Sequence, residues 1–283
     1  MSAGAALESG ARALPTRMVE KVWGRERLPQ PFEAPEGARI GEIWFEPPPE
    51  MADLLVKYLF TSEKLSIQVH PSDDNALEGE AGKEECWLVL DAQPGASLAI
   101  GFDKHVSPEQ IEAAARDGSI EDLLTWHRVS AGDVYYLPAG TVHAIGPGLA
   151  LVEVQQNSDT TFRLFDYGRP RELHLERAVA VAQGAPYEAD HRSSFAERGT
   201  TLIDGRYFRL DRVEGVPDAG LHEAYREGVL ALPLSGAISS KDAGPVKGPM
   251  TGIVTGPGQC LYAPSLGAID FTNAEVTLLT CSR

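Results

Sequence analysis

Cysteine is scarce, with only Cys86, Cys260 and Cys281, odd in number and far apart. That argues against a disulfide framework and fits a reducing compartment. No apolar run is long enough to span a bilayer, and the first thirty residues carry Arg12, Arg17, Lys21, Arg25 and Arg27 where a signal peptide would need an apolar stretch. The expectation is a cytoplasmic protein with no membrane partner. Positive charge is also short: 25 Lys and Arg stand against 41 Asp and Glu, a net charge of −16. This argues against nucleic acid and anionic membranes as partners, and it means that an anionic substrate has to be drawn in by local charge. Glycine (28) and proline (20) are plentiful, and 43% of the 283 residues are hydrophobic. That supports many short elements joined by turns around a real core, in one large or two modest domains.

The chain is organised around Leu65 to Glu85. In an extended strand, Ser66, Gln68 and His70 share one face and Leu65, Ile67 and Val69 the other. After a turn-rich loop from Gly79 to Gly82, a second strand puts Lys83, Glu85 and Trp87 on one face and Glu84, Cys86 and Leu88 on the opposite one. The Gln68 carbonyl, the His70 imidazole and the Glu85 carboxylate can then converge from two neighbouring strands, a donor set suited to a divalent ion such as zinc. A fourth donor is offered by His143, just beyond the strand and turn Gly132 to Gly140. Taken singly, each histidine reads more readily as a core residue of an ordinary β-protein; the spacings taken together favour the ligand reading.

Gly132, then five residues, then Pro138-x-Gly140-x-x-His143 resembles the second motif of the cupin family, although Pro147 stands where that motif closes on Asn. The first cupin motif is departed from, with Gln68 in place of its first His and a longer gap before Glu85. That departure itself resembles the type I mannose-6-phosphate isomerases, whose zinc ligands are Gln-x-His, a Glu and a later His. Leu-Ser-Ile-Gln-Val-His-Pro from Leu65, Gly-Lys-x-Glu-Cys-Trp from Gly82, Gly-Thr-Val-His-Ala-Ile from Gly140 and the run Gln155 to Tyr167 match in order. The resemblance covers roughly residues 18–180. It implies an all-β, double cupin (jelly-roll) β-sandwich with a short helical insertion, and one zinc ion per chain on Gln68, His70, Glu85 and His143. The reaction it implies interconverts mannose 6-phosphate and fructose 6-phosphate by proton transfer between C1 and C2 through a cis-enediol. From composition alone, Lys83 reads as solvated and Arg163 as paired with Asp159 or Asp166. The resemblance instead makes both catalytic and substrate-binding, and names Glu153, ten residues before Arg163, as the general base. Ser66, on the ligand face of its strand, is a candidate phosphate contact. Two other classes are weighed: an Fe(II) cupin oxygenase, which usually shows two or three His and no Lys/Arg pair, and a sugar-phosphate-binding cupin without turnover, which could dispense with Glu153 and Arg163.

Along the chain, residues 1–17 are expected to be poorly ordered. Residues 18–184 are read as the metal-binding domain and 185–283 as a second, metal-free β-domain. Gly41 to Phe45 reads as a short strand with Glu42 a solvated edge residue, and Leu54 to Phe60 as a fully apolar buried strand. Leu88 to Phe102 reads as a hairpin about Gln93-Pro-Gly95. Ser107, Pro108 and the helical spacing of Ile111, Ala114 and Ala115 predict an insertion of two short helices over 107–127, flanked by solvated His105 and His127. A last short helix is expected over 172–183, and a linker over 184–200. Gly258 to Pro264 repeats the glycine-to-proline frame of Gly132 to Pro138, but Ile269 stands where the first copy has His143. A monomer or weak homodimer is the expected assembly.

Overall fold

The computed structural model describes residues 10–195, 200–241 and 252–283. After β1 (Arg12–Ala13), which joins a later sheet, seven strands build the first: β2 (Thr16–Arg25), β3 (Ile40–Phe45), β4 (Leu54–Phe60), β6 (Glu85–Ala92), β9 (Asp133–Leu137), β11 (Leu149–Gln156) and β13 (Arg192–Ser194). They lie antiparallel in the order β13-β9-β6-β11-β4-β3-β2. A five-stranded sheet, ordered β12-β5-β10-β7-β8, faces it and contains β5 (Ile67–Val69), β7 (Ser97–Phe102), β8 (Leu124–Arg128), β10 (His143–Ile145) and β12 (Phe162–Phe165). Trp87, Leu59 and Leu151 from the first sheet meet Leu98, Ile100 and Ile145 from the second, a packed interior between two inner faces.

Gln93 to Gly95 does turn the chain, with the Ala96 N–H donating to Gln93 O at 2.9 Å and Gly95 at φ +86°. It does not make the expected hairpin: β6 pairs with β9 and β11, and β7 with β8 and β10 in the opposite sheet. Trp87 and Val89 on one strand, and Leu98 and Ile100 on the other, are buried by stacking the strands face to face.

The helices cover the outer face of the five-stranded sheet. α1 (Pro108–Asp117) starts on Ser107, whose hydroxyl accepts from the Gln110 N–H in a capping box, and stops at Gly118 with φ +87°. α2 (Ile120–Leu123) is shorter than expected, because Leu124 to Arg128 turn extended and pair with β7. With α3 (Leu175–Val181) they bury Ile67, Val69, Ile111 and Ala178.

The outer face of the seven-stranded sheet is covered by the rest of the chain. β14 (Thr201–Asp204), β15 (Phe208–Glu214), β16 (Val229–Gly236), β19 (Leu261–Ala263) and β21 (Ala274–Ser282) form, with β1, a six-stranded sheet ordered β1-β19-β16-β21-β15-β14. β17 (Ile238–Ser240), β18 (Val254–Thr255) and β20 (Ile269–Asp270) form a three-stranded one. Val56, Val152 and Val154 pack against Leu210, Leu230 and Leu278 in one continuous core.

Of residues 1–17, expected to be poorly ordered, positions 1–9 lie outside the described residues and the rest are tied down. Arg12 pairs with Tyr262 and stacks on its ring at 4.5 Å, and the Leu14 N–H donates to Cys260 O at 2.8 Å. Within the expected linker, Arg192–Ser194 completes the seven-stranded sheet by pairing with β9. The repeated frame is physical: Gly132 (φ +92°) precedes β9 as Gly258 (φ +81°) precedes β19, and Ile269 at the start of β20 is buried. Among the described residues no helix is long and apolar enough to cross a membrane.

Candidate metal centre and active site

The site is built from two rows of residues that face each other across the sandwich. On the five-stranded sheet, Arg163, Gln68 and His143 stand abreast on β12, β5 and β10, each opposite its neighbour in register. On the seven-stranded sheet the row is Trp87, Glu153, Lys57 and Trp44 on β6, β11, β4 and β3, with Glu85 two residues before Trp87 on the same face. The Gln68–His70 and Glu85 groups therefore meet between opposed sheets rather than between neighbouring strands of one sheet. The proline-glycine turn after β9 closes the arrangement, because the Gly140 N–H donates to His70 O at 2.8 Å and draws the ends of β5 and β10 together. Gly140 has φ +84°, and a Cβ there would lie 3.0 Å from Val181 O, so the motif's glycine is required by both conformation and space.

His70, Glu85 and His143 offer one ligand atom each within 4.8 Å of one another, and all three are buried. His70 Nε2 is 3.5 Å from Glu85 Oε2, and His143 Nε2 is 3.4 Å from Glu85 Oε1. Each imidazole uses its other nitrogen on the backbone, His70 Nδ1 donating to Thr160 O at 2.8 Å and His143 Nδ1 to Thr141 O at 2.9 Å. That fixes the tautomer and leaves both Nε2 lone pairs directed at the same point as the Glu85 carboxylate, as a metal requires. Burial, reinforced by the nearby Lys83 charge, holds His70 well below the usual imidazole range, and burial likewise lowers His143, so both stay neutral donors. Burial pushes the Glu85 carboxyl up, but the nearby charges, Lys83 foremost, more than offset this and leave it below the ordinary value.

The Gln68 amide lies 3.3 Å from His143 Nε2 through its nitrogen, while its Oε1 accepts from Ser66 Oγ at 3.1 Å. A half-turn of the amide exchanges its two ends and presents oxygen to the same point, with Ser66 Oγ then accepting from the amide nitrogen. The Ser66 hydroxyl, expected at a phosphate, meets Gln68 in either arrangement, and in the turned one its O–H is left to donate into the cavity it lines. The donor set of two neutral imidazoles, one carboxylate and one amide oxygen fits a divalent ion and leaves the site net positive.

Beside this centre the charges alternate in space. Lys83 Nζ lies 2.7 Å from Glu85 Oε2, 3.2 Å from His70 Nε2 and 3.5 Å from Glu153 Oε1. Lys57 Nζ lies 3.0 Å from Glu153 Oε1 and 3.8 Å from Glu42 Oε1, while Glu42 Oε2 meets Lys21 Nζ at 3.2 Å and accepts from Trp44 Nε1 at 2.8 Å. Burial disfavours the Lys57 ammonium, but Glu153 and Glu42 overcome it and raise its pKa above the ordinary lysine value. Glu42 is buried and ion-paired, not the solvated edge residue expected, because β2 and β3 fold it inward over the site. Lys83 is likewise buried at the base of the site, so its solvated reading fails.

A cavity of about 270 Å³ opens above these groups, lined among others by Gln68, Lys83, Glu85, Glu153 and Arg163. Six Arg and Lys side chains line it against four acidic ones, a local excess of positive charge on a strongly acidic chain. Arg163 has no ion pair among the described residues, and its Nε is buried without a hydrogen-bond partner. Asp166, one of its expected partners, is taken by Arg169 and Arg171. The other expectation, of solvated histidines flanking the helices, holds for exposed His105 but not for His127, whose ring packs against Tyr135 and Tyr187. Lys57, Lys21 and Arg171 were given no site role in the sequence. For Lys57 a signal existed: it is the one charge inside the buried run Leu54–Phe60, which is not fully apolar, and it shares a face with Leu55 and Leu59.

No protein-family model matches the chain. It is 39% identical over 173 residues to the mannose-6-phosphate isomerase ManA of Bacillus subtilis, covering 56% of this chain and 54% of that protein. It is 44% identical over 136 residues to a mannose-6-phosphate isomerase of Streptococcus mutans, covering 45% and 43%. The matched regions thus span about half the length of these curated relatives. Among solved structures, the Bacillus subtilis mannose 6-phosphate isomerase superposes with a TM-score of 0.73 at 24% identity over 96% of this chain and 99% of that one. A putative mannosephosphate isomerase from Archaeoglobus fulgidus gives 0.72 at 18% identity, over 99% and 100%. The chain has the phosphomannose-isomerase form of the cupin fold, and over more than half its length its sequence is similar to that of curated mannose-6-phosphate isomerases.

Proposed function

We propose that the chain is a metal-dependent aldose–ketose isomerase that interconverts mannose 6-phosphate and fructose 6-phosphate. The observation that carries this is the convergence of His70, Glu85 and His143 on one point at the base of a cavity that also presents Glu153, Lys83 and Arg163. Gln68, His70, Glu85 and His143 would hold one divalent ion, which we take as zinc, and it would supply Lewis acidity toward the sugar's oxygens.

The net reaction moves a proton from C2 to C1 and a proton from O2 to O1. In this reading Glu153 takes the C2 proton and returns it at C1, giving a cis-enediol between the two half-reactions. Its Oε1 is held by Lys57 at 3.0 Å and Lys83 at 3.5 Å, and the residue is 3% exposed, so water is kept from the proton it carries. Lys83 and Arg163 provide positive charge where an oxyanion develops during each transfer, an effect worth several kcal/mol in general. Ser66 orients Gln68. The oxygenase and binding-only readings are not favoured, since neither calls for a buried carboxylate gripped by two lysines at the wall of the cavity. Every group named comes from one chain, so a monomer or weak homodimer would suffice.

The test is to supply zinc-loaded protein with mannose 6-phosphate and follow fructose 6-phosphate. Formation that stops on chelation and returns with zinc is expected; no formation by metal-loaded, folded protein would reject the reading.

A further inference from the structure

The groups deepest in the cavity are already engaged. Lys83 is bound to Glu85 and Glu153, Ser66 to Gln68, and Lys57 to Glu153 and Glu42. If chemistry at C1 and C2 takes place among these, the phosphate at the far end of a six-carbon chain must lie elsewhere along the cavity wall. The wall carries two guanidiniums close enough to repel, Arg163 and Arg171: burial first and then the Arg171 charge lower the Arg163 pKa, with only partial relief from Asp166 and Glu172.

Arg171 is held rigidly. Its Nε donates to Asp166 Oδ2 at 2.6 Å and its Nη2 to Asp166 Oδ1 at 2.7 Å, which leaves Nη1 without a hydrogen bond among the described residues. Asp166 is buried, and its single charge is also shared with Arg169 Nη1 at 3.3 Å. Arg163 brings a guanidinium with no ion pair among the described residues and a buried Nε lacking any partner. Two like charges fixed on one cavity wall, one clamped and one unpaired, are the arrangement a dianion would neutralise, and planar donor forks match phosphate oxygens.

We infer that Arg171, locked by Asp166, receives the phosphate monoester of the sugar substrate, while Arg163, opposite Gln68 on one side and near Arg171 on the other, stands between the phosphate and the reacting carbons. This rests on the proposed isomerase reading for its choice of substrate, but not for the anion site itself.

The test separates the two. Binding of inorganic phosphate to zinc-loaded protein is measured by calorimetry for wild type, Arg171→Ala and Arg171→Lys, with folding checked by circular dichroism. Turnover of mannose 6-phosphate is measured alongside. Loss of one charge-assisted contact predicts phosphate binding about ten- to a hundred-fold weaker in Arg171→Ala, a matching rise in KM and a kcat within a few-fold of wild type. Arg171→Lys should recover part of the loss and guards against an alanine variant that does not fold. If wild type binds phosphate through Arg171 but does not isomerise, the anion site stands and the isomerase reading falls. If wild type isomerises while phosphate binding and KM are unchanged in folded Arg171→Ala or Arg171→Lys, or if wild type does not bind phosphate, the assignment of Arg171 is overturned.

Discussion

At the scale of single residues, the site depends on what burial does to charge. His70 and His143 are both held below the usual imidazole range, chiefly by desolvation. Their folded pKa values lie below the unfolded value of about 6.5, so the unfolded chain binds their protons first as the pH falls. Metal-free protein should therefore be most stable above pH 6.5 and lose stability progressively below it. A His70→Gln variant should show a shallower fall. Thermal melts of chelated wild type and variant at pH 7.5 and 5.5 check this; parallel losses would mean that His70 is not the neutral buried group described. Arg163 makes a second case. Arg163→Lys keeps the charge but loses the planar fork, so turnover of mannose 6-phosphate should drop by at least tenfold while bound zinc, read by elemental analysis, stays constant.

At the scale of elements, the Pro138-x-Gly140-x-x-His143 motif acts as a clasp. Gly140 ties the turn after β9 to the end of β5 and leaves no room for a side chain. Gly140→Ala should cost about 1–2 kcal/mol from the left-handed backbone alone, plus the crowding against Val181 O, and should weaken zinc binding because the Gly140 N–H holds the backbone of His70. A variant with wild-type melting temperature and zinc affinity would show that the motif is not a clasp. This is also where the sequence was most and least legible. The four residues proposed to hold the metal were legible because two sit on one short strand, one falls after a recognisable turn, and strand alternation alone sorts Glu85 from Cys86. The capped helix α1 was legible because Ser107, Pro108 and Gly118 act locally. Lys57 was marked only as a lone charge in a buried run, and Glu42 not at all, because what they do depends on Lys57 lying abreast of Glu153 and on Glu42 reaching Lys57 and Lys21, pairings between strands that no local pattern encodes. The misread hairpin has the same origin: a turn residue fixes a reversal, while the choice of partner strand is decided by which faces bury together.

At the scale of the molecule, the two halves are fused rather than strung together. Val56, Val152 and Val154 share a core with Leu210, Leu230 and Leu278, and β1 at the N-terminal end completes the C-terminal sheet. The account predicts one cooperative unfolding transition by calorimetry, raised as a whole by zinc. Leu230→Ala, far from the metal ligands, should lower it by about 2–5 kcal/mol with little change in zinc stoichiometry. A separate transition that zinc does not move would mean that the C-terminal half is an independent domain.

A metal held by Gln68, His70, Glu85 and His143 and a base at Glu153 are tested together by one comparison. Zinc content and mannose 6-phosphate turnover are measured together on wild type and Glu153→Gln. The account predicts one zinc per chain in both proteins, fructose 6-phosphate formed by wild type, and a kcat lower by about 10²–10⁴ in the variant. A Glu153→Gln enzyme that keeps its full kcat at one zinc per chain, or a wild type that holds its zinc and forms no fructose 6-phosphate, would contradict it.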